Sequence, residues 1–478
     1  MSDFEQFPGQ WNIPGMDDPV DGCLLVDGER QAVELVLQLE FNRCGYRPCL
    51  IENDFCDVLD GRLFSGVRVA LYRCETVSRH FYNSFLLTEN VTVKYAFWGL
   101  TESNTARQLF RGATFELKDA IEWTGLSHYD WNLDEKDFGQ SLVWVHREPI
   151  SLSLPRGVDF SVSPTQGSFR ARIYDTNVKA EQHAVFKFLY GQNVDWDRVV
   201  EDIYWFRSFA ELGASTGMSV DSVQYLHDQV RIDLPGIDQK ADESLRPSDV
   251  ILGTRSSKRT ERTRLSLYSS FSLPEAIECG ALKRWFEARE LLKPIVGLYS
   301  LAYSREMISP TLMFLSLMQA LETLHARFYA SDVVSFLNRI DAIINAPGEG
   351  AVQPEWLIDT GQRGSKKIYL KSRLNDLFYA EGVRPVKELG SSILDFSTKL
   401  VDTRNYLTHY DRKLKTKAYG VEELPGINGR LLLLAEYHML VFLGFSKVFA
   451  RERISRKAWP MFRESWKRLV NVGSDMIS

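Results

Sequence analysis

The stretch "VKELGSSILDFSTKLVDTRNYLTH", residues 386–409, decides the class of the C-terminal half. Val386, Leu389, Ile393, Phe396, Leu400 and Leu407 recur at steps of three, four and finally seven, which is one face of a helix turning about 100° per residue. A strand would alternate every second residue. A single apolar stripe needs a partner surface, so this helix belongs to a packed bundle. The same period predicts helices at about 274–304, 308–328, 331–345, 365–381, 385–410, 428–451 and 456–471. Loops rich in Gly and Pro separate them, such as "APGEGAVQP" (346–354) and "YGVEELPGING" (419–429). No repeat of solenoid period is evident.

Upstream of about residue 235 the period is different. "AVELVLQLE" (32–40), "GVRVALYRC" (66–74), "NVTVKYAFWG" (90–99), "SLVWVHREPISLSL" (141–154) and "SFRARIYDT" (168–176) read as strands. Two helical pieces are predicted among them, near "FELKDAIEWTGL" (115–126) and "DWDRVVEDIYWFRSFAELGAST" (195–216). The expected fold class is therefore α+β, a β-rich N-terminal domain followed by an all-α helical bundle. Residues 236–265, "GIDQKADESLRPSDVILGTRSSKRTERTRL", are polar and charged, and read as the linker. This sets the expected domains at 1–250 and 251–478. Arg255, Lys258, Arg259, Arg262 and Arg264 make the end of the linker basic, either as a solvated segment or as an auxiliary contact to an RNA backbone.

The 478 residues call for two or three domains, and 44% hydrophobic with 25% charged residues is an ordinary globular balance. The densest apolar run, "GRLLLLAEYHMLVFLGFSKVFA" (429–450), is broken by Glu436, His438 and Lys447, so it reads as a buried helix and not a membrane span. The acidic start "MSDFEQFPGQWNIPGMDD" has no basic region followed by an apolar one, and a cytoplasmic location is expected. Cys23, Cys44, Cys49, Cys56 and Cys74 crowd the first 75 residues but lack the paired C-x2-C spacing of structural zinc sites. They read as free thiols, and no metal or other cofactor is expected.

The net charge of -6 hides a split. Residues 1–250 carry 23 Lys and Arg against 39 Asp and Glu, a net of -16, which leaves the remainder at -6 - (-16) = +10. The C-terminal half is the part suited to a polyanion, and the acidic half is free for another role.

At the end of the opening helix stand Arg404, Asn405 and His409, followed by Arg412, Lys413, Lys415 and Lys417. The pattern R-x4-H carries little by itself, since Arg73 and His80 form a second loose match in a strand-like region. On a helix Asn405 and His409, four apart, share a face, while Arg404 lies about 100° from Asn405 at the edge of the Leu400 stripe. A long arginine can swing towards the same groove. Such a set suits RNA cleavage without a metal. A histidine, titrating near 6.5, takes a proton from a ribose 2′-hydroxyl or gives one to the leaving 5′-oxygen. An arginine fork holds the scissile phosphate, and an asparagine amide orients the phosphate or the imidazole. The 2′-hydroxyl requirement makes RNA the substrate, and the basic residues behind the site would bind flanking phosphates. The same residues also fit a solvated helix end whose cations complement the macrodipole. No Walker A, H-E-x-x-H, G-x-S-x-G or C-x-x-C pattern points to another enzyme class.

"DTRNYLTHYD" resembles the R-x4-6-H motif of HEPN ribonucleases, with a polar residue, here Asn405, after the arginine. "FLSLMQALETLHARFY" (314–329) resembles the helix that opens the HEPN domain of ApeA-type anti-phage defence proteins. "DGCLLVDGERQAVELVLQ" and "FELKDAIEWTGL" are similar to the β-rich N-terminal domain of that family, so the resemblance covers nearly the whole chain. It implies a metal-independent endoribonuclease that leaves 2′,3′-cyclic phosphate ends and dimerises through the helical domain. It implies abortive defence in which host RNA, with tRNA among the targets, is cleaved once a phage component, such as a phage-derived protein activator, is sensed. Carried over, Arg404 and His409 are the catalytic pair and Asn405 their helper, with Glu322 and His325 placed near the site or in a satisfied core role. The other reading that stands is a non-catalytic HEPN-like bundle that binds RNA or protein, with the β-rich domain as its recognition unit.

Overall fold

The computed structural model describes residues 5–27, 32–40, 51–82, 86–99, 110–133, 140–165, 169–170, 179–180, 182–226, 247–252, 269–302, 309–345, 362–379 and 393–457. The chain divides into two compact units. One comprises residues 1–207 and 218–264, the other 208–217 and 265–478.

The first unit begins with six antiparallel strands, β1 (Glu5–Asn12), β2 (Val20–Asp27), β3 (Ala32–Glu40), β4 (Phe55–Leu63), β5 (Arg68–Tyr82) and β6 (Leu86–Trp98). β1 pairs with both β2 and β4, β3 pairs with β2 and β6, and β5 pairs with β4 and β6. That circuit closes on itself, so the six strands form a barrel and leave no free edge around it. Alternate residues fill the interior: Leu35, Leu37 and Leu39 of β3 are buried together with Leu24 of β2, Leu59 of β4 and Leu71 of β5. Trp11 is completely buried among them. A Cβ at Gly61 would come within 2.2 Å of the Trp11 ring, so only glycine leaves room for the indole there.

The strands continue with β7 (Phe110–Leu117), the hairpin β8 (Tyr129–Leu133) and β9 (Gln140–Trp144), β10 (Ile150–Leu154), β11 (Val158–Pro164), the short pair β12 (Phe169–Arg170) and β13 (Lys179–Ala180), then β14 (Ala184–Val194), β15 (Val220–Leu226) and β16 (Pro247–Leu252). β6 uses its first half to close the barrel on β3 and its last residues, Tyr95 to Phe97, to pair with β16. From there the sheet runs β16, β15, β7, β14, β11, β10.

Between these strands lie α1 (Ile121–Thr124) and α2 (Trp196–Ala214). In α2, Trp196, Val199, Val200, Ile203 and Phe206 repeat at helical spacing and are buried. The Phe206 ring lies 5.0–6.1 Å from those of Phe115, Phe160, Phe186 and Phe188 on the sheet. Each such ring contributes about 1.5–3 kcal/mol through burial.

The second unit is helical: α3 (Leu273–Glu278), α4 (Ala281–Glu287), α5 (Arg289–Tyr299), α6 (Pro310–Phe328), α7 (Val333–Ile344), α8 (Leu370–Tyr379), α9 (Ile393–His409), α10 (Leu424–Leu443) and α11 (447–457). α6 is the central helix and packs on α5, α8, α9 and α10. It starts at Ser309, whose hydroxyl accepts from the Leu312 amide, with Pro310 in the first turn. Glu436 of α10, 1% exposed, accepts from the Tyr299 hydroxyl at 2.8 Å and pairs with Lys457 of α11 at 2.5 Å.

A β-rich unit followed by an all-α one agrees with the expected class, and several elements differ from their sequence reading. "FELKDAIEWTGL" is not a helix: Phe115 to Leu117 finish β7, and only Ile121–Thr124 turn helically. Cross-strand packing of Phe115 on Phe186 and Phe188 outweighs the local period. The helix expected over 274–304 is three helices, interrupted at Cys279–Gly280, where Gly280 is left-handed at φ +74°, and at Ala288. The helix expected over 428–451 stops at Leu443, where Gly444 takes φ +102°. The expected linker holds β16, whose Val250, Ile251 and Leu252 supply a strand that the surrounding charge conceals. Val386, Leu389, Cys44, Cys49, residues 458–471 and the five basic linker residues lie outside the described residues. Cys23, Cys56 and Cys74 are free thiols. Among the described residues no helix is long and apolar enough to cross a membrane.

Candidate functional site

α9 places the motif. Phe396 and Leu400 are fully buried in its stripe, and Thr403 one turn on is also buried, donating to the Lys399 carbonyl at 2.6 Å. Arg404, Asn405 and Leu407 are half-buried, and Thr408 to Lys413 are exposed. Arg404 projects towards α6 and α8. With Thr408, one turn away on its own face, it lines a pocket of about 210 Å³ together with Leu315, Met318, Gln319 and Glu322 of α6 and Leu370 of α8. That is below the roughly 300–1,000 Å³ of a site enclosing a whole ligand, and its walls are mostly apolar, with Glu322 as the acidic group beside Arg404.

Arg404 Nη1 donates to Asn405 Oδ1 at 3.3 Å, so these two expected partners meet. His409 does not join them. It is the last residue of α9, exposed, and no hydrogen bond between described residues ties it to Arg404 or Asn405. A turn of 500° separates Arg404 from His409 on the helix, which leaves their directions about 140° apart. One chain thus presents the arginine into a pocket and the histidine to solvent.

The basic segment is an ordered turn. Leu414 donates to Asp411 O at 3.0 Å, Lys417 to Leu414 O at 2.9 Å, and Tyr419 N to the Thr403 hydroxyl at 2.9 Å, which ties the segment back to α9. Lys399 sits 4.0 Å above the Tyr419 ring. Arg412, Lys413, Lys415 and Lys417 remain exposed on it. The second loose match dissolves: Arg73 lies on β5, paired with Asp197, and His80 is on the same strand beside Tyr82.

Behind the pocket lies a buried polar assembly. His325 is completely buried and Asp376 is 1% exposed, their Nε2 and Oδ2 2.8 Å apart. Arg339 forks onto the same carboxylate, with Nε–Oδ2 at 2.9 Å and Nη2–Oδ1 at 3.0 Å. Arg373 Nη1 donates to His325 Nδ1 at 2.9 Å, so the imidazole is neutral and gives its Nε2 proton to Asp376. Burial lowers the His325 pKa, against the pull of Asp376. Burial pushes Asp376 upward, and the hydrogen bonds from His325 and Arg339 overcome it, leaving the carboxyl below its ordinary value. Arg373 also feels the charge of Glu322, which lines the Arg404 pocket. Of the two α6 residues singled out in the sequence, Glu322 belongs to the pocket and His325 to the core.

His438 of α10 completes the assembly. Its Nε2 donates to Leu377 O at 3.0 Å and its Nδ1 accepts from the Tyr329 hydroxyl at 2.6 Å. Burial drops its pKa to about 4 and raises that of Tyr329 to about 12. A neutral folded histidine, against an ordinary value near 6.5, contributes stability that is complete above pH 6.5 and lost as pH falls towards 4. The loss from His438 alone is expected to reach about 3 kcal/mol by pH 4. Urea titrations at pH 7 and pH 4, with His438→Asn as the comparison, check it. Equal losses in wild type and variant would assign the acid sensitivity elsewhere.

The model of ApeA N-terminal domain 1 matches residues 6–265, and that of the Apea-like HEPN domain matches residues 315–449, which contain the pocket, the motif and the basic turn. The chain belongs to the ApeA family. Membership makes this a HEPN-type, nuclease-like defence protein. No curated protein and no solved structure matches it. Within this ApeA chain the sequence reading missed Gln319 and Thr408 as pocket residues. Thr408 carried a usable signal, since it stands four residues after Arg404 on the same face.

Proposed function

We propose that this ApeA protein is a metal-independent HEPN endoribonuclease that cleaves host RNA, tRNA among its targets, in abortive anti-phage defence when a phage component is sensed. Arg404, in its pocket, clamps the scissile phosphate, Asn405 orients it, and His409 takes the proton from the 2′-hydroxyl or gives one to the leaving 5′-oxygen. The observation that carries this reading is an arginine held in a small pocket with an exposed histidine five residues on and an ordered basic turn behind, all inside a HEPN match. Its test is expression of wild type and His409→Ala with and without phage infection, followed by sequencing of host RNA ends. New ends in infected wild-type cells alone support it. Identical end maps in both strains refute it.

Cleavage needs one proton removed and another delivered, and a single chain offers one such histidine, aimed away from its own arginine. A two-fold pairing of helical domains supplies a second motif. The protein is therefore expected to sediment at micromolar concentration with the mass of two chains or a larger even number. A monomer that still cleaves RNA would contradict the pairing.

Arg412, Lys413, Lys415 and Lys417 are assigned to flanking phosphates. Replacing Lys413, Lys415 and Lys417 together by alanine is expected to weaken binding to all RNA sequences alike and to lower the salt slope by about 2–3. Binding titrations at several salt concentrations measure both, and an unchanged slope would return the turn to a solvated role. The N-terminal domain, residues 1–250 with net charge -16, is assigned the sensing and restraint of the nuclease domain, residues 251–478. Any activator must bind the active arrangement better than the resting one.

A further inference from the structure

Tyr410 follows His409 and is 73% exposed. Its backbone is left-handed, φ +53°, and its amide closes α9 by donating to Tyr406 O at 2.7 Å. A side chain in that conformation meets a steric cost that glycine avoids. Elsewhere in the chain small residues end helices in this left-handed conformation, with Gly125 after α1, Ser215 after α2, Gly280 after α3 and Gly444 after α10, at φ +68°, +57°, +74° and +102°. Among the described residues with left-handed φ, Tyr410 is the only aromatic. The ring recovers little by packing, since its one described aromatic neighbour is Tyr406, edge-on at 6.1 Å. A bulky apolar face is thus held in solvent, in a conformation unfavourable to it, between an exposed histidine and the exposed Arg412 and Lys413. Backbone strain kept without return in packing is a mark of functional positions.

An exposed ring among phosphate-binding cations is the composition of sites for unpaired nucleotides, in which bases stack on aromatics while cations follow the backbone. We infer that Tyr410 is a specificity-determining residue that stacks an unpaired nucleobase beside the scissile phosphate. A base in a continuous duplex is stacked on its neighbours and has no free face to offer. This inference rests on the nuclease reading above and adds a substrate-stacking residue to that same site.

The test compares wild type, Tyr410→Gly and Tyr410→Phe in the full chain, using a short unstructured oligoribonucleotide and the same strand annealed to its complement, with extract of phage-infected cells that lack this protein added as the activator in the cleavage assays. Affinity, KM and kcat for cleavage, and the thermal midpoint are measured for each. Tyr410→Gly is expected to weaken affinity for the single strand about tenfold or more, to affect KM more than kcat, and to keep or raise the thermal midpoint as strain is relieved. Tyr410→Phe, which keeps the ring, is expected to recover most of the affinity, and wild type to prefer the single strand. Wild-type affinity in Tyr410→Gly overturns the inference and leaves the nuclease reading intact. A lowered midpoint with unchanged affinity also overturns it, by making the ring structural. A wild type that binds the single strand through Tyr410 without cutting it supports the stacking role and refutes the nuclease reading. A wild type that neither binds nor cuts overturns both.

Discussion

His409→Ala is expected to slow RNA cleavage by about 10²–10⁴-fold, the range that a positioned acid or base contributes. Arg404→Ala is expected to cost about 10²–10³-fold, as the removal of a preorganised donor to a developing charge does. Both losses are predicted to be chemical and not structural. His409 is exposed at the end of α9, so its removal should change stability by less than about 0.5 kcal/mol. Arg404→Lys should not restore the rate, because a point charge lacks the planar fork that grips two phosphate oxygens. His80→Ala serves as the control, since that residue stands on β5 far along the chain from the helical motif. Single-turnover cleavage with the folded variants measures these effects. A His409→Ala protein that cuts at the wild-type rate would remove the histidine from the chemistry.

The second large effect lies in the buried assembly behind the pocket. Asp376→Ala takes away the acceptor shared by His325 and Arg339, leaving the His325 Nε2 proton without a partner and the Arg339 fork facing a void. Breaking such a buried pair from one side costs about 3–5 kcal/mol. The helical signal in a urea titration should report that loss, and one below about 1 kcal/mol would show that the network is not holding α6, α7 and α8 together. Because α6 and α8 also form the walls of the Arg404 pocket, milder variants at this position are expected to reach the site through its geometry.

The elements legible in the sequence were those whose partners lie close along the chain. The stripe of Phe396 and Leu400 announced α9, and the helical period over 308–328 announced α6. The barrel was not legible, because its closure depends on β1 meeting β4 and β3 meeting β6, pairings that no local period encodes. β16 was hidden because three apolar residues in a charged segment carry too little periodicity to be seen. The share of α2 in the helical unit was hidden as well. Phe209 packs 5.1 Å from Phe271 and 5.4 Å from Trp285, so a fragment starting at residue 265 would lack part of that core. For the site, spacing brought Arg404 to Asn405 and placed the basic turn after them. It could not show that Arg404 turns into a pocket while His409 faces solvent, because the pocket walls come from α6 and α8.

Cleavage of RNA by side chains alone is decided by the chemistry of the product ends. Activated wild-type protein is incubated with RNA in excess EDTA, and the termini are identified by their response to phosphatase and kinase. Undiminished cleavage giving 2′,3′-cyclic phosphate and 5′-hydroxyl ends is expected, as internal attack by the 2′-hydroxyl requires. Cleavage that EDTA abolishes, or that leaves 5′-phosphate and 3′-hydroxyl ends, would contradict it.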